Sequence, residues 1–254
     1  MTMLQVQNLI KEFDGIKAAD NISFEVEKGS ICGLVGPNGS GKTTVFNLIC
    51  GYLRPERGRI FLDRREITTL SPHQIAQLGI GRTFQNIRLF PQISVLDNVM
   101  LGLKYEVGDH FLAALFQTKR MKKEEKQNVF RAEEILKFVG LIEKKGDLAE
   151  NLSHGQRKLL ELARILALDP KLFLLDEPFA GLFPETKKTM LELLRKLKEK
   201  GKTILFIEHD MNSVMGVAEK VIVLNYGKKI AEGRPEEVRN IDEVVKAYLG
   251  KQKE

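Results

Sequence analysis

The octapeptide GPNGSGKT, residues 36–43, restricts the fold more than any other stretch of this 254-residue chain. It meets the spacing G-x-x-x-x-G-K-[ST], with the apolar run SICGLVG leading into it and the helix-forming run TTVFNLICGYL leading out. The glycines let successive backbone N–H groups converge on phosphate oxygens, and the following helix N-terminus adds roughly half a positive charge. Gly36, Pro37, Asn38, Gly39, Ser40, Gly41, Lys42, Thr43 and the adjoining Thr44 are therefore candidates for holding a nucleoside triphosphate. Lys42 would reach the β- and γ-phosphates and the Thr43 hydroxyl would ligate Mg²⁺. The loop is silent on what hydrolysis would drive.

The patterning around the loop divides the chain. Before residue 90 it reads as short strands, LQVQNLIKEF, ISFEVE, SICGLVG and GRIFLD, of which the first, second and fourth suggest an antiparallel β layer. From about Asp97 to Leu152 the signal turns helical: VLDNVMLGL and the series Ala132, Ile135, Leu136, Val139 recur at helix spacing. After that, helix and strand alternate through LFLLDE, ETKKTMLELLRKLKEKG, KTILFIEHD, MNSVMGVAEK and KVIVLN, the mark of βαβ units. A hairpin, VIVLNYGKKIAEG, and a short helix, IDEVVKAYLG, close the chain. The expected fold is an α/β phosphate-loop NTPase core with a mostly parallel sheet, an N-terminal antiparallel β layer and an inserted helical subdomain. Residues 1–96 and 153–254 would form the nucleotide-binding core, and 97–152 the subdomain.

Parallel strands deliver their C-terminal ends to one sheet edge, where ligands bind in open α/β folds. KLFLLDEP ends a buried strand in two acids: Asp176 suits a Mg²⁺ shell and Glu177 suits polarising an attacking water. TILFIEHD brings His209 to the same edge, within reach of a γ-phosphate. A further segment, ENLSHGQRKLLELARILALDP, poses a different problem. Ser153 and Gln156 have the S-x-x-Q spacing of a capping box, and Leu159, Leu162, Ala163 and Leu166 give the helix an apolar stripe. A capped helix without a ligand would explain that pattern. Gly155 in the first turn argues for more, since glycine there costs roughly 1 kcal/mol against alanine and implies something close to the backbone.

Composition excludes less. The hydrophobic fraction of 43% with 29% charged residues is that of a globular protein in water. A net charge of +6 fits a nucleic acid, a phosphorylated ligand or an anionic membrane face, and equally a solvated Lys/Arg surface. Cys32 and Cys50 lie in apolar runs, so free buried thiols in a reducing compartment are expected. The N-terminus has no secretory pattern and no window is apolar enough to span a bilayer, so a cytosolic protein, or one peripheral on a membrane through partners, is expected.

In order, the phosphate loop, TFQN, LSHGQ, LFLLDEP and IEHD closely resemble the ATP-binding subunits of ABC transporters across essentially the whole chain. The resemblance implies that Ser153, Gly155 and Gln156 contact the γ-phosphate of an ATP held by the phosphate loop of a second ATPase subunit, identical or homologous, in a head-to-tail sandwich. It implies that Phe13 stacks on adenine, with core filling as the alternative. Gln85 would contact Mg²⁺ or the attacking water while sensing the membrane subunits, with a plain polar turn as its alternative. Two transmembrane permease subunits are the implied partners, with a solute-binding protein acting indirectly, at the cytoplasmic face of the cell membrane. The apolar Leu89, Phe90, Pro91 and Ile93 would help form the docking groove, or else pack on the helical subdomain.

More narrowly, GIGRTFQNIRLFPQISVLDNVMLGL, LLDEPFAGLFPE and EGRPEEVRNIDEVVKAYLG resemble the ATPases of branched-chain amino-acid importers. Related ATPases for urea or other amides and for lipopolysaccharide export share part of these stretches. ABC ATPases acting on nucleic acid or ribosomes usually bring two cassettes, a coiled-coil insertion or zinc-binding cysteines, none of which this sequence has, and no nucleic-acid partner is expected. A phosphate-loop kinase would leave LSHGQ unexplained. Two positions depart from the broad family pattern: His154 stands where the signature has glycine, and Phe183 where Asn or Asp usually follows AGL.

Overall fold

The computed structural model describes residues 1–85, 87–103 and 119–249. Asn86 of TFQN and residues 104–118 of the expected subdomain lie outside the described residues. Two compact units emerge: Met1–Arg82 with Lys171–Ala180 and Lys187–Glu254, and Thr83–Pro170 with Gly181–Thr186. The segment 97–152 falls within the second unit, which also takes in the LSHGQ helix.

In the first unit, β1 (Thr2–Phe13), β2 (Ile16–Glu27), β4 (Arg57–Leu62) and β5 (Arg65–Glu66) form an antiparallel sheet in the order β2-β1-β4-β5. The second sheet has the order β10-β9-β3-β8-β7-β6, from β3 (Ile31–Val35), β6 (Ile80–Arg82), β7 (Leu172–Asp176), β8 (Thr203–Glu208), β9 (Lys220–Asn225) and β10 (Lys228–Gly233). All its neighbours run parallel except the β9–β10 hairpin. Every residue of β3, β7 and β8 is buried, which is why they read as continuous apolar runs rather than alternating ones. Helix α1 (Lys42–Ile49) contributes Val45, Phe46, Leu48 and Ile49 to an apolar cluster shared by both sheets. The β5 and β6 strands and the capped helix α2 (Pro72–Gln77) were not legible as separate elements, being two to six residues long.

The second unit holds α3 (Val95–Met100), α4 (Lys119–Val139) and α5 (His154–Ala167), each packed on the other two. Ala132, Leu136 and Val139 of α4 are buried as the periodicity predicts, with Ile135 half-buried. On α5 burial extends past a stripe: Leu160, Glu161 and Ile165 are enclosed along with Leu159, Leu162 and Ala163, while Leu166 is half-buried. The chain continues through α6 (Pro184–Glu199), α7 (Met211–Met215), α8 (Pro235–Val238) and α9 (Asp242–Leu249). Cys32 and Cys50 are free and buried, and among the described residues no helix is long and apolar enough to cross a membrane.

Candidate functional site

The phosphate loop leaves the buried end of β3 and turns back into α1. Gly36 and Gly41 take positive φ values of 153° and 101°, and a Cβ on either would meet backbone oxygen, Leu224 at 2.1 Å and Ala18 at 2.2 Å. These two glycines are thus demanded by the chain's own packing. Gly39, also left-handed at 79°, faces open space. The Lys42 ammonium is almost enclosed and donates to the carbonyls of Gly36 and Pro37 at 2.8 and 2.9 Å. Helix α1 begins at Gly41, which brings no side-chain cap, and Thr43 in its first turn is exposed. An uncapped helix start, a buried cation and an open left-handed glycine suit a bound phosphate chain.

At the carboxyl ends of the neighbouring strands, Asp176 is 3% exposed and paired with Arg82 at 3.5 Å. Glu177 leaves the strand with φ 48°, a left-handed turn that breaks alternation and re-aims the second acid. Its Oε1 lies 3.5 Å from His209 Nδ1, which is also 3.8 Å from Glu208 Oε2. Glu208 is fully buried and accepts from the Phe179 amide at 3.1 Å. Burial pushes its carboxyl above the ordinary range despite that bond. One unit therefore holds Lys42, Thr43, Asp176, Glu177 and His209, with Phe13 at the end of β1, 42% exposed and capped by Lys11 at 5.2 Å from its ring. That exposure is incompatible with Phe13 as core filling.

Sequence reading missed two members of this edge. Arg82 and Glu208 each end an apolar run and were passed over beside Gln85 and His209. The signal available was the charge itself, closing a strand whose other residues are uncharged.

Gln85, Ser153, Gly155 and Gln156 belong to the second unit. Gln85 is exposed, and the Phe84 amide just before it donates to the buried Glu161 carboxylate at 3.2 Å. The capping box is complete: Ser153 Oγ accepts from the Gln156 amide and Gln156 Oε1 accepts from the Ser153 amide. The expectation drawn from Gly155 needs correcting in its source. A Cβ there would meet the Thr186 methyl at 2.9 Å and hydroxyl at 3.1 Å, so a neighbour in the same unit already accounts for the glycine. His154 packs against Gly181, its Nε2 3.1 Å from where that residue's Cβ would stand. Phe183 is 82% exposed. Of the apolar patch, Phe90 and Pro91 are exposed and Leu89 and Ile93 half-buried. Asn98 fixes the Phe90 backbone through both its amide and its carbonyl.

A phosphate loop between a buried parallel strand and a helix, with acids and a histidine at the neighbouring strand ends, is the arrangement of a phosphate-loop nucleotide-binding protein. The family model described as ABC transporter matches residues 19–180, and that described as Branched-chain amino acid ATP-binding cassette transporter matches residues 228–254. The chain belongs to the ABC transporter family of ATP-binding subunits. It is 39% identical to the high-affinity branched-chain amino acid transport ATP-binding protein LivG of Salmonella typhimurium, over 98% of each chain. A solved ATP-binding cassette of an ABC transporter in its ADP conformation matches with a TM-score of 0.83 and 37% identity, over 98% of this chain and 99% of that one. A dimeric bacterial ABC transporter cassette matches with a TM-score of 0.78 and 28% identity, over 92% and 99%.

Proposed function

We propose that the chain is the ATP-hydrolysing subunit of an importer of branched-chain amino acids, working at the cytoplasmic face of the membrane through two permease subunits. The observation that carries the enzymatic part is Glu177 Oε1 held 3.5 Å from His209 Nδ1, at the strand ends of the unit that holds the phosphate loop. The near full-length likeness to a LivG protein and the C-terminal match support the cargo.

Lys42 and the loop amides bind the triphosphate, while Phe13 presents an exposed ring for the adenine. Thr43 and Asp176, with Gln85, would hold Mg²⁺, which would supply positive charge to the β- and γ-phosphates. Glu177 accepts the proton of the attacking water and His209 steadies the γ-phosphate. Ser153, Gly155 and Gln156 serve a second subunit's nucleotide in the head-to-tail dimer, an arrangement for which the dimeric relative gives a precedent in subunit number.

Glu177→Gln keeps shape and removes the base. It should retain binding of a fluorescent ATP analogue, lose hydrolysis by about 100-fold or more, and elute as a dimer with ATP on gel filtration. A variant that stays monomeric with ATP would sink the sandwich. Leucine uptake by vesicles carrying the chain with its permease subunits tests the cargo; urea or amide uptake instead would replace it.

A further inference from the structure

Arg82 ends β6 with only 8% of its side chain exposed. In the parallel register it stands opposite Leu174, and residues two apart on a strand share a face, so Arg82 points to the side of the sheet that carries Asp176. Its Nη2 lies 3.5 Å from Asp176 Oδ2, and its Nη1 donates to Asn47 Oδ1 at 2.8 Å. Asn47 follows Thr43 by one helical turn, the i, i+4 spacing that puts both on one face of α1. The guanidinium also stacks on Phe46 and Tyr52, 5.6 and 5.7 Å from the ring centroids. Arg82 therefore touches both elements that carry the candidate metal ligands Thr43 and Asp176.

An enclosed carboxylate needs a positive partner, and breaking such a pair leaves an uncompensated charge. We infer that Arg82 is the resident counter-charge of Asp176, and that Mg²⁺ arriving with the nucleotide competes with it for that carboxylate. The inference rests on Asp176 being a metal ligand. The geometry suits exchange rather than a permanent clamp. The contact to Asp176 is long for a charge-assisted bond, and Asn47 and the two rings also hold the guanidinium. Arg82 is thus a positioning residue whose effect is to weaken the site's hold on Mg²⁺.

The test titrates MgCl₂ against binding of a fluorescent ATP analogue to the full chain, alongside thermal unfolding in EDTA. Arg82→Gln should lower the melting temperature in EDTA and reduce the half-saturating Mg²⁺ by about threefold or more, the size of measured couplings between neighbouring side chains. Arg82→Lys, which keeps the charge but loses the fork and the ring contacts, should fall between the parent and Arg82→Gln in half-saturating Mg²⁺. An unchanged or raised half-saturating Mg²⁺ in Arg82→Gln overturns the inference, because a structural anchor would not tighten metal binding. If Arg82→Gln alone fails to fold, recovery in the Asp176→Asn background supports the inference, and failure in both backgrounds overturns it. Should binding by the parent and by Asp176→Asn be indifferent to Mg²⁺, the metal-ligand reading itself fails. The Arg82–Asp176 coupling in EDTA is measured separately and would survive that result.

Discussion

Helices α1 and α5 each open on a segment that reads as an anion site, and they open in opposite ways. Helix α1 starts from Gly41 with no side-chain cap, so its first-turn amides are left for a ligand. Helix α5 starts from Ser153 inside a complete capping box, so its own side chains satisfy two of the corresponding amides, those of Ser153 and Gln156. The box spends acceptor oxygens, Ser153 Oγ and Gln156 Oε1, and leaves the hydroxyl proton of Ser153 and the amide protons of Gln156 for an acceptor. An anion at α1 meets main chain, and one at α5 would meet the Ser153 and Gln156 side chains together with the backbone at Gly155. The first arrangement builds a site from backbone shape, and the second adds side-chain donors to a helix start whose cap is already made.

The largest effect that could break this comparison lies at α1. Lys42→Ala removes the enclosed ammonium from the loop, and hydrolysis should fall by about 100-fold or more with weaker nucleotide binding, measured as phosphate release and analogue fluorescence. If Lys42→Ala kept the parent's rate, the α1 site would not be where the chemistry occurs.

A smaller effect tests how α5 is built. Gly155→Ala should destabilise by about 1–3 kcal/mol through overpacking, because Thr186, stiff at χ1, cannot retreat easily from 2.9 Å. Thr186→Ala deletes both crowding atoms and should recover most of the loss in the double variant. Urea midpoints for the four proteins give the coupling. If Gly155→Ala unfolds no more easily than the parent, Thr186 is not the reason for the glycine, and a ligand at the backbone returns as its explanation.

The contrast also shows where sequence reading succeeds. The phosphate loop, the capping box and the strand runs ending at Asp176 and Asn225 are local patterns, set by spacing along a few residues. What was missed depends on partners far away in the chain. Gly155 looked like a ligand's doorway because Thr186 is thirty-one positions downstream, and Gly36 and Gly41 looked like phosphate glycines alone because Leu224 and Ala18 were out of sight. Arg82 and Glu208 escaped for a related reason: the charge closing each strand is visible in the sequence, but its partners Asp176, Asn47 and Phe179 are not. The extent of the helical unit, from Thr83 to Pro170, was likewise hidden, since α5 joins α3 and α4 through packing rather than through any change in composition.

The smallest expected effect concerns the acid within α5, for which α1 has no counterpart. Glu161 is buried, and burial raises its carboxyl above the ordinary value, although the Phe84 amide, Lys158 and Arg164 pull the other way. A folded carboxyl that holds its proton more tightly than the unfolded one favours the folded state below the unfolded pKa. That advantage is lost as pH rises through the higher folded value, because in between the folded chain carries the extra proton. Glu161→Gln keeps an oxygen for the Phe84 amide and removes the ionisation. Urea midpoints across mildly acid to neutral pH should therefore show the parent losing stability relative to Glu161→Gln as pH rises. A difference that stays flat with pH would mean that Glu161 ionises as readily in the fold as out of it, and that α5 tolerates a buried charge beside its self-satisfied start.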